Sequence, residues 1–355
     1  MYRYIGNKSR LTPWLIDRIK GEVARGAVVA DVMCGTASVS EALRGSGFRV
    51  IACDMMTFSA HHARVRLLMD REPAFAGLRQ TYGELIEQLN ALSGEHGLFY
   101  REYSPAGNPV SRTEPRKYLT PENAAKLDAM NRRISTWEAD GKLSENEHSL
   151  LRHDLIMAVN RVANIAGTYG HYRSTWSKAA LMGISLRPSE FLSGYRTDHT
   201  VLQGRAEELA EGITADLCYI DPPYMKRQYA ANYHLIETVA RGDEPEAIGV
   251  SGLRPWRDQY SNFCTRTKIQ ESFRSVIDQM NCEKFMISYS SDGLLSEEEL
   301  SELLQIHGEI RIEKRPFPRF RSNQSELGPT VEEFLITLTK EKSFSQQQLR
   351  ASGAR

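Results

Sequence analysis

The residues of this chain best suited to chemistry are Asp221, Pro222, Pro223 and Tyr224, which follow the apolar run Leu217-Cys218-Tyr219-Ile220. The run reads as a buried strand. Two successive prolines, with fixed φ and no backbone donor, must end it abruptly. A carboxylate, carbonyls without competing donors and an aromatic ring are thereby presented at the carboxyl end of a strand, where open α/β sheets bind ligands. This set suits one difficult reaction, the alkylation of an amino group attached to a flat aromatic base. The lone pair of such an amine is delocalised into its ring. Acceptors aimed at its hydrogens, one from the Asp221 carboxylate and one from the Pro222 carbonyl, pull it towards tetrahedral geometry and localise that pair. Tyr224 can stack on the base. Positioning and electrostatics then carry the reaction, and it calls for no metal and no covalent enzyme intermediate. An ordinary strand-terminating turn would use the same residues for no chemistry at all.

A second group lies near the amino terminus. The turn Met33-Cys34-Gly35-Thr36-Ala37 follows a strand-like run at 28–32 and precedes a helix from Ser38, its expected cap, to Arg44. The next apolar strand, Phe48 to Cys53, ends at Asp54. Strand, turn, helix, strand and acid in this order form a nucleotide-binding α/β unit. Gly35 lets the backbone pass close to a ligand. Position 37 is Ala, so the dinucleotide fingerprint is incomplete, which argues against a pyrophosphate ligand. Asp54 stands where a carboxylate accepts hydrogen bonds from a ribose; it could equally cap the following helix. The run Tyr4-Ile5-Gly6-Asn7-Lys8-Ser9-Arg10-Leu11 offers an aromatic face, a flexible Gly-Asn pair and a lysine. Such a segment can stack on a base and neutralise a carboxylate, or simply start a helix with a solvated lysine.

These groups need a sheet to bring them together. Further strands are predicted at 285–288 and 333–338, with a helix at 297–305 between them. Residues 61–92 and 121–163 carry helical apolar spacing with many charges. The stretch 102–120 reads as a loop and 166–200 as irregular or hairpin structure. The expected architecture is α/β: a Rossmann-like sheet with helices on both faces, built from 1–60 and 200–340. A mostly helical insert at 61–199 interrupts it, and a disordered tail at 341–355 follows. A chain of 355 residues can bury a large core. Its net charge is zero, so any nucleic-acid contact must use a local basic surface. No apolar run reaches the length of a membrane span, and the start has no apolar signal core. Five scattered cysteines fit a reducing cytoplasm and argue against a zinc cluster.

Taken together, the order and content of these motifs resemble the Dam/FokI-type adenine-specific DNA methyltransferases, which use S-adenosylmethionine. The matching pieces are Arg3 to Leu11, Asp31 to Ser38, Asp54, Ala163-Asn164-Ile165-Ala166-Gly167-Thr168-Tyr169-Gly170, Asp221 to Tyr224, and Gln228-Tyr229-Ala230-Ala231-Asn232-Tyr233-His234. The resemblance reaches from residue 2 to about 338. It implies a Rossmann-like methyltransferase sheet, with the insert reading the DNA target. It also implies that Asp221, Pro222, Pro223 and Tyr224 form the catalytic set, Asp221 also bordering the cofactor. Tyr4 and Lys8 would contact the cofactor, Lys8 through its carboxylate. Asp31 and the turn Cys34, Gly35, Thr36 and Ala37 would hold its methionine moiety, and Asp54 its ribose. Two departures stand out. The family turn usually carries a second Gly where Ala37 stands. An Asp expected before the catalytic strand, near the cofactor adenine, is replaced by Gln203-Gly204-Arg205-Ala206-Glu207.

The target amine sits inside a duplex and must be flipped out, at a cost of a few kcal/mol. Tyr169, Tyr172, Arg173 and Lys178 belong to a segment that interleaves aromatics with basic residues, a pattern that suits DNA contact. Lys226 and Arg227, just past the tetrapeptide, could hold the phosphates of the flipped nucleotide. Arg112, Arg116 and Lys117 form a second basic loop, and Arg315, Arg319 and Arg321 lie in a third. The implied partner is duplex DNA, joined by a cognate restriction endonuclease if the chain serves restriction-modification rather than acting as a solitary or phage methylase. The protein would be a monomer or weak dimer in the bacterial cytoplasm, associated with the nucleoid. The same chemistry on structured RNA, and a non-catalytic DNA-binding relative, are the competing readings. A nicotinamide dehydrogenase is disfavoured by the missing glycine pattern.

Overall fold

Five strands form where the apolar runs place them, and two form where the sequence reads otherwise. The computed structural model describes residues 4, 8–111, 114–318 and 330–341, with the side chain of Ser9 left aside. Its strands are β1 (Val28–Asp31), β2 (Arg49–Asp54), β3 (Thr200–Gln203), β4 (Leu217–Ile220), β5 (Lys284–Ser290), β6 (Gly308–Pro318) and β7 (Thr330–Lys340). They form one seven-stranded sheet in the order β3-β2-β1-β4-β5-β7-β6. The first five are parallel, and β7 runs antiparallel to both its neighbours.

Side-chain alternation along the strands decides the layers. Val29, Leu217, Tyr219, Met286 and Leu335 pack on one face with Leu15, Ile19, Leu43, Ala63 and Leu67. Those partners come from the helices Thr12–Glu22, Ser38–Gly45 and Thr57–Leu68. Ala30, Cys218, Ile220, Phe285, Ile287 and Ile336 pack on the other with Phe273, Val276, Leu300 and Leu304, from the helices Ile269–Gln279 and Glu297–Gln305. The fold is the expected Rossmann-like sheet with helices on both faces.

The two strands missed in the sequence are edge strands. β3 has four residues with no fully buried position, so it lacks a strong apolar run. β6 alternates Ile310 and Ile312 with Arg311 and Glu313, the charged pattern that protects a sheet edge. Arg315 therefore lies in a strand, not a loop, with its guanidinium 5.0 Å from the Trp14 ring centre. Arg319 and Arg321, like Arg112 and the tail beyond Glu341, fall outside the described residues.

The charged helical stretch becomes the helices Thr57–Leu68, Tyr82–Ala91, Leu98–Tyr103, Pro121–Ala139 and Glu145–Val162. Capping boxes, Thr81 with Glu84 and Ser144 with Glu147, start two of them. The span 61–92 is thus two helices, broken around Pro73, which cannot continue a helix. Thr57–Leu68 crosses the expected boundary at residue 60 and packs on β2, β3 and Glu145–Val162. The core of the helical region also takes in Tyr233, Leu235, Ile236 and Val239, which follow β4 in the chain. The stretch at 166–200 holds no helix and no strand before β3 begins at Thr200; its Tyr172 forms an isolated bridge with Ile165.

Candidate active site

The chain leaves β1 towards β2 and β3 on one side and returns through β4 to β5 on the other, so strand order reverses between β1 and β4. Asp31 of β1 lies opposite Tyr219 of β4. The glycine turn after β1 and the tetrapeptide after β4 therefore emerge side by side at the switch point, where such sheets bind ligands. A cleft with about 910 Å³ of empty space, open to solvent, lies there. Tyr4, Lys8, Asp31, Cys34, Gly35, Thr36, Asp54, Asp221, Pro222, Pro223 and Tyr224 all line it. Of the residues expected at the cofactor and catalytic positions, Ala37 alone is not on the wall.

Ala37 is buried and caps the helix Ser38–Gly45 with φ 57° and ψ 23°. Ser38 is the first helical residue, not the cap. Left-handed backbone costs an L-residue roughly 1 kcal/mol, which gives a physical reason for a glycine here. Ala37→Gly should raise unfolding stability by about 0.5–1 kcal/mol, read as a higher urea midpoint; a lower midpoint would contradict the strain. Gly35 is also left-handed, at φ 52°, and a Cβ there would meet Tyr4 ring atoms at 3.0 Å.

Asp54 braces this turn. One of its oxygens accepts from the Gly35 N–H at 2.8 Å and the other from the Met56 N–H at 2.9 Å. Burial pushes its pKa up to about 6 against those bonds. Asp31 accepts from the Ser40 hydroxyl at 2.6 Å, and burial pushes it up to about 7. Gly204, Ala206 and Glu207 also reach the cleft. The segment before the catalytic strand thus does bring an acid to it, Glu207.

Lys8 sits in a short 3-10 turn whose carbonyl accepts from Leu11 N–H and the Thr12 hydroxyl, which fixes where its side chain starts. The ammonium is buried. It donates to Tyr224 Oη at 3.0 Å and Glu333 Oε2 at 3.0 Å, and lies 3.3 Å from Asp221 Oδ1. Burial alone would lower its pKa, but Asp221, Tyr224 and Glu333 outweigh that and hold it well above the ordinary lysine value. Lys8 thus joins the amino-terminal segment of the cleft to the tetrapeptide. Glu333, from β7, was not foreseen; a second acid within the apolar run Val331 to Leu338 was the available signal. Tyr219 is tied to Ser288 at 2.8 Å beneath the site. Tyr229, Gln259, Ser261 and Phe263 complete the wall. Tyr233 stacks on both Tyr4 and Tyr229, with Tyr4 and Tyr233 ring centres 4.9 Å apart, and the Tyr4 and Tyr229 rings meet at a tilt.

Burial pushes Asp221 up to about 6, with Lys8 pulling it down and Glu333 raising it. Its Oδ1 faces Lys8. Among the described residues no donor reaches its Oδ2, and none reaches the Pro222 carbonyl. Both residues line the cleft together with Pro223 and Tyr224.

The residues expected at DNA divide. Arg173, Lys178, Lys226 and Arg227 are exposed, and Tyr172 is half-buried against Tyr118. Tyr169 is fully buried in the core, its hydroxyl donating to Asn160, so it cannot meet a duplex in this conformation. Its apolar ring is worth more inside than out. Buried Asn164 organises the loop instead: its amide donates to the Lys117 and Arg173 carbonyls and its oxygen accepts from Ser177 N–H. Arg116 is likewise no surface residue. It is wholly buried, paired with Glu102 at 2.9 Å and bonded to the Gly249 and Val250 carbonyls. Arg116→Ala would leave the buried Glu102 carboxylate with only the half-exposed Arg101 and the Val110 N–H as partners, and should cost about 3 kcal/mol of stability. A denaturant midpoint close to wild type would show this pair to be dispensable.

The model of the D12 class N6 adenine-specific DNA methyltransferase family matches residues 4–303. The chain is 32% identical over 345 residues to the type II methyltransferase M.FokI of Planomicrobium okeanokoites, covering 96% of this chain and 53% of that protein. It is 30% identical to the modification methylase LlaI of Lactococcus lactis subsp. lactis, over 99% of this chain and 57% of that one. It is also 30% identical to the type II methyltransferase M.NlaIII of Neisseria lactamica, over 91% of this chain and 93% of that one. The chain thus spans about half the length of the first two and nearly all of the third. By the match over most of its length, the chain belongs to the D12 class of N6 adenine-specific DNA methyltransferases.

Proposed function

We propose that this chain transfers a methyl group from S-adenosylmethionine to the exocyclic amino group of a flipped-out adenine at a specific site in duplex DNA. The observation that carries the reading is a pair of acceptors that meet no donor among the described residues, Asp221 Oδ2 and the Pro222 carbonyl, from two residues that line one cleft with Tyr224. They suit an amine whose two hydrogens must be held while its lone pair is localised. Tyr224 can stack on the extruded base, and the exposed Lys226 and Arg227 follow one residue beyond it.

The residues fit the cofactor. The Gly35 turn admits close approach, because any side chain there would collide with Tyr4. Asp31 and Asp54 offer carboxylates for an ammonium and for ribose hydroxyls, and Val39, Met56 and Phe263 give the same cleft an apolar lining. When bound, S-adenosylmethionine supplies a methyl group on a positively charged sulfur. The protein's part is to bind and orient it, to hold the adenine amine in line, and to accept hydrogen bonds from that amine. Asp221 need not remove a proton before attack, since the amine turns acidic only as it is alkylated.

A role as the modification partner of a restriction endonuclease is included in this proposal, on the names of the relatives. Among the described residues no helix is long and apolar enough to cross a membrane. The test is incubation with S-adenosylmethionine and unmethylated DNA of high sequence complexity, followed by mapping of N6-methyladenine. One short sequence context should emerge. Methylation of structured RNA alone would favour the RNA reading, and cofactor binding without transfer to any duplex would favour a non-catalytic relative.

A further inference from the structure

We infer that Glu333 is a positioning residue for the transfer step, sharing the Lys8 ammonium so that one Asp221 oxygen stays free to accept from the substrate amine. The inference rests on the methyl-transfer reading and extends it to β7, a strand outside the recognised motifs.

An ammonium has three donors, and around Lys8 they meet three partners: Glu333 at 3.0 Å, Tyr224 at 3.0 Å and Asp221 at 3.3 Å. The longest of these is to Asp221. Glu333 is buried on β7, an interior strand, at the end of the register with β5, opposite Ser290 of β5 and Arg315 of β6, and its other oxygen lies 3.4 Å from Tyr224 Oη. Two carboxylates thus divide one cation. Were Glu333 neutral, Lys8 would turn its charge more fully onto Asp221. That would drain acceptor strength from the group that must polarise the amine, because a carboxylate already holding a strong donor is a poorer partner for a weak one. The groups facing Asp221 are Lys8, Glu333, Tyr219, Tyr224, Tyr229 and Asp31. Lys8 is the cation among them, and Glu333 raises the Asp221 pKa. Removing its charge should let that pKa fall.

The test uses the full chain and its Glu333→Gln and Glu333→Asp variants. Single-turnover transfer from S-adenosylmethionine to unmethylated high-complexity duplex DNA is followed from about pH 5 to pH 9. In parallel, the Asp221 carboxyl is titrated by carbon NMR in aspartate-labelled protein without cofactor, with Asp221→Asn assigning the resonance. Glu333→Gln should lower the plateau rate on the order of tenfold and move the acid limb down on the order of one pH unit, with cofactor affinity within about twofold. The Asp221 titration should move the same way. Glu333→Asp, which keeps the charge, should hold the acid limb near wild type. An unmoved limb and an unmoved Asp221 titration in Glu333→Gln, whatever its stability, would overturn the inference, since a merely structural acid predicts that result. If the wild-type protein methylates no DNA adenine, the functional reading fails, while the Asp221 titration still decides whether Glu333 sets the charge of the clamp.

Discussion

Asp221→Asn should abolish methyl transfer to within detection, a loss on the order of 10³-fold or more in single-turnover rate, while leaving cofactor affinity within a few fold. The substitution is nearly isosteric, so the strand end and its prolines keep their places. It changes what the clamp presents to the amine. Asp221 lines the cleft, and its Oδ2 accepts from no described residue. An amide nitrogen there would present hydrogens to a group that is itself a donor, and repel it. Cofactor binding should survive because Tyr4, the Gly35 turn, Asp31 and Asp54 reach the cleft from the amino-terminal segment and the ends of β1 and β2. Stability should hold, since Lys8 retains Glu333 at 3.0 Å. Rapid-quench transfer and calorimetric titration of S-adenosylmethionine make the comparison. Near-normal turnover would refute the assignment of the tetrapeptide.

Lys8→Met should lower transfer at neutral pH on the order of a hundredfold, and its cause can be separated from lost binding. Lys8 is the cation between two buried carboxylates. Without it, Asp221 and Glu333 are like charges in one desolvated site, and one of them must take up a proton. Asp221 is already raised to about 6 by burial, with Lys8 holding it down. Loss of the lysine therefore moves its pKa upward, and the acid limb of the rate should shift to higher pH. This sign is opposite to that expected for Glu333→Gln. Lys8 also lines the cofactor cleft, so the cofactor dissociation constant should rise as well. A variant altered only in DNA affinity, with an unshifted limb, would remove Lys8 from the site.

The two variants probe opposite ends of one buried cluster, which makes the pH profile a more pointed readout than rate alone. A general loss of stability would depress both profiles without moving their limbs. Only a change in the charge around Asp221 moves them, and in a direction fixed by the sign of the group removed.

Much of this arrangement was legible in the chain. Local rules suffice for it: consecutive apolar residues mark central parallel strands, since these are buried on both faces. Paired prolines mark where a strand must stop, and a glycine after a strand marks a close backbone approach. Those signals located β1, β2, β4, β5 and β7 and the two turns that flank the cleft. Edge strands β3 and β6 were less readable, because a charged or short strand has no burial pattern of its own; its pairing partners make it a strand. Tyr169 and Arg116 illustrate the same limit for side chains. Each stands in a run of aromatic or basic residues that looks like a binding surface, and each is buried because other segments close over it, through Asn160 in one case and Glu102 with the Gly249 and Val250 carbonyls in the other.

What the sequence by itself determined is the chemistry on offer: a carboxylate and a donorless carbonyl at a strand end, a glycine turn, an aromatic and a lysine near the start. These are properties of residue type and local backbone, and they survive whatever the rest of the chain does. What only the tertiary structure decided is which charges meet. Lys8, Asp221 and Glu333 are each more than a hundred residues apart in the chain, and no local rule pairs them. Their meeting follows from the strand order, which sets β1 beside β4 and carries β7 alongside β5. The electrostatic state of the site, and with it the reactivity of the clamp, depends on that long-range meeting.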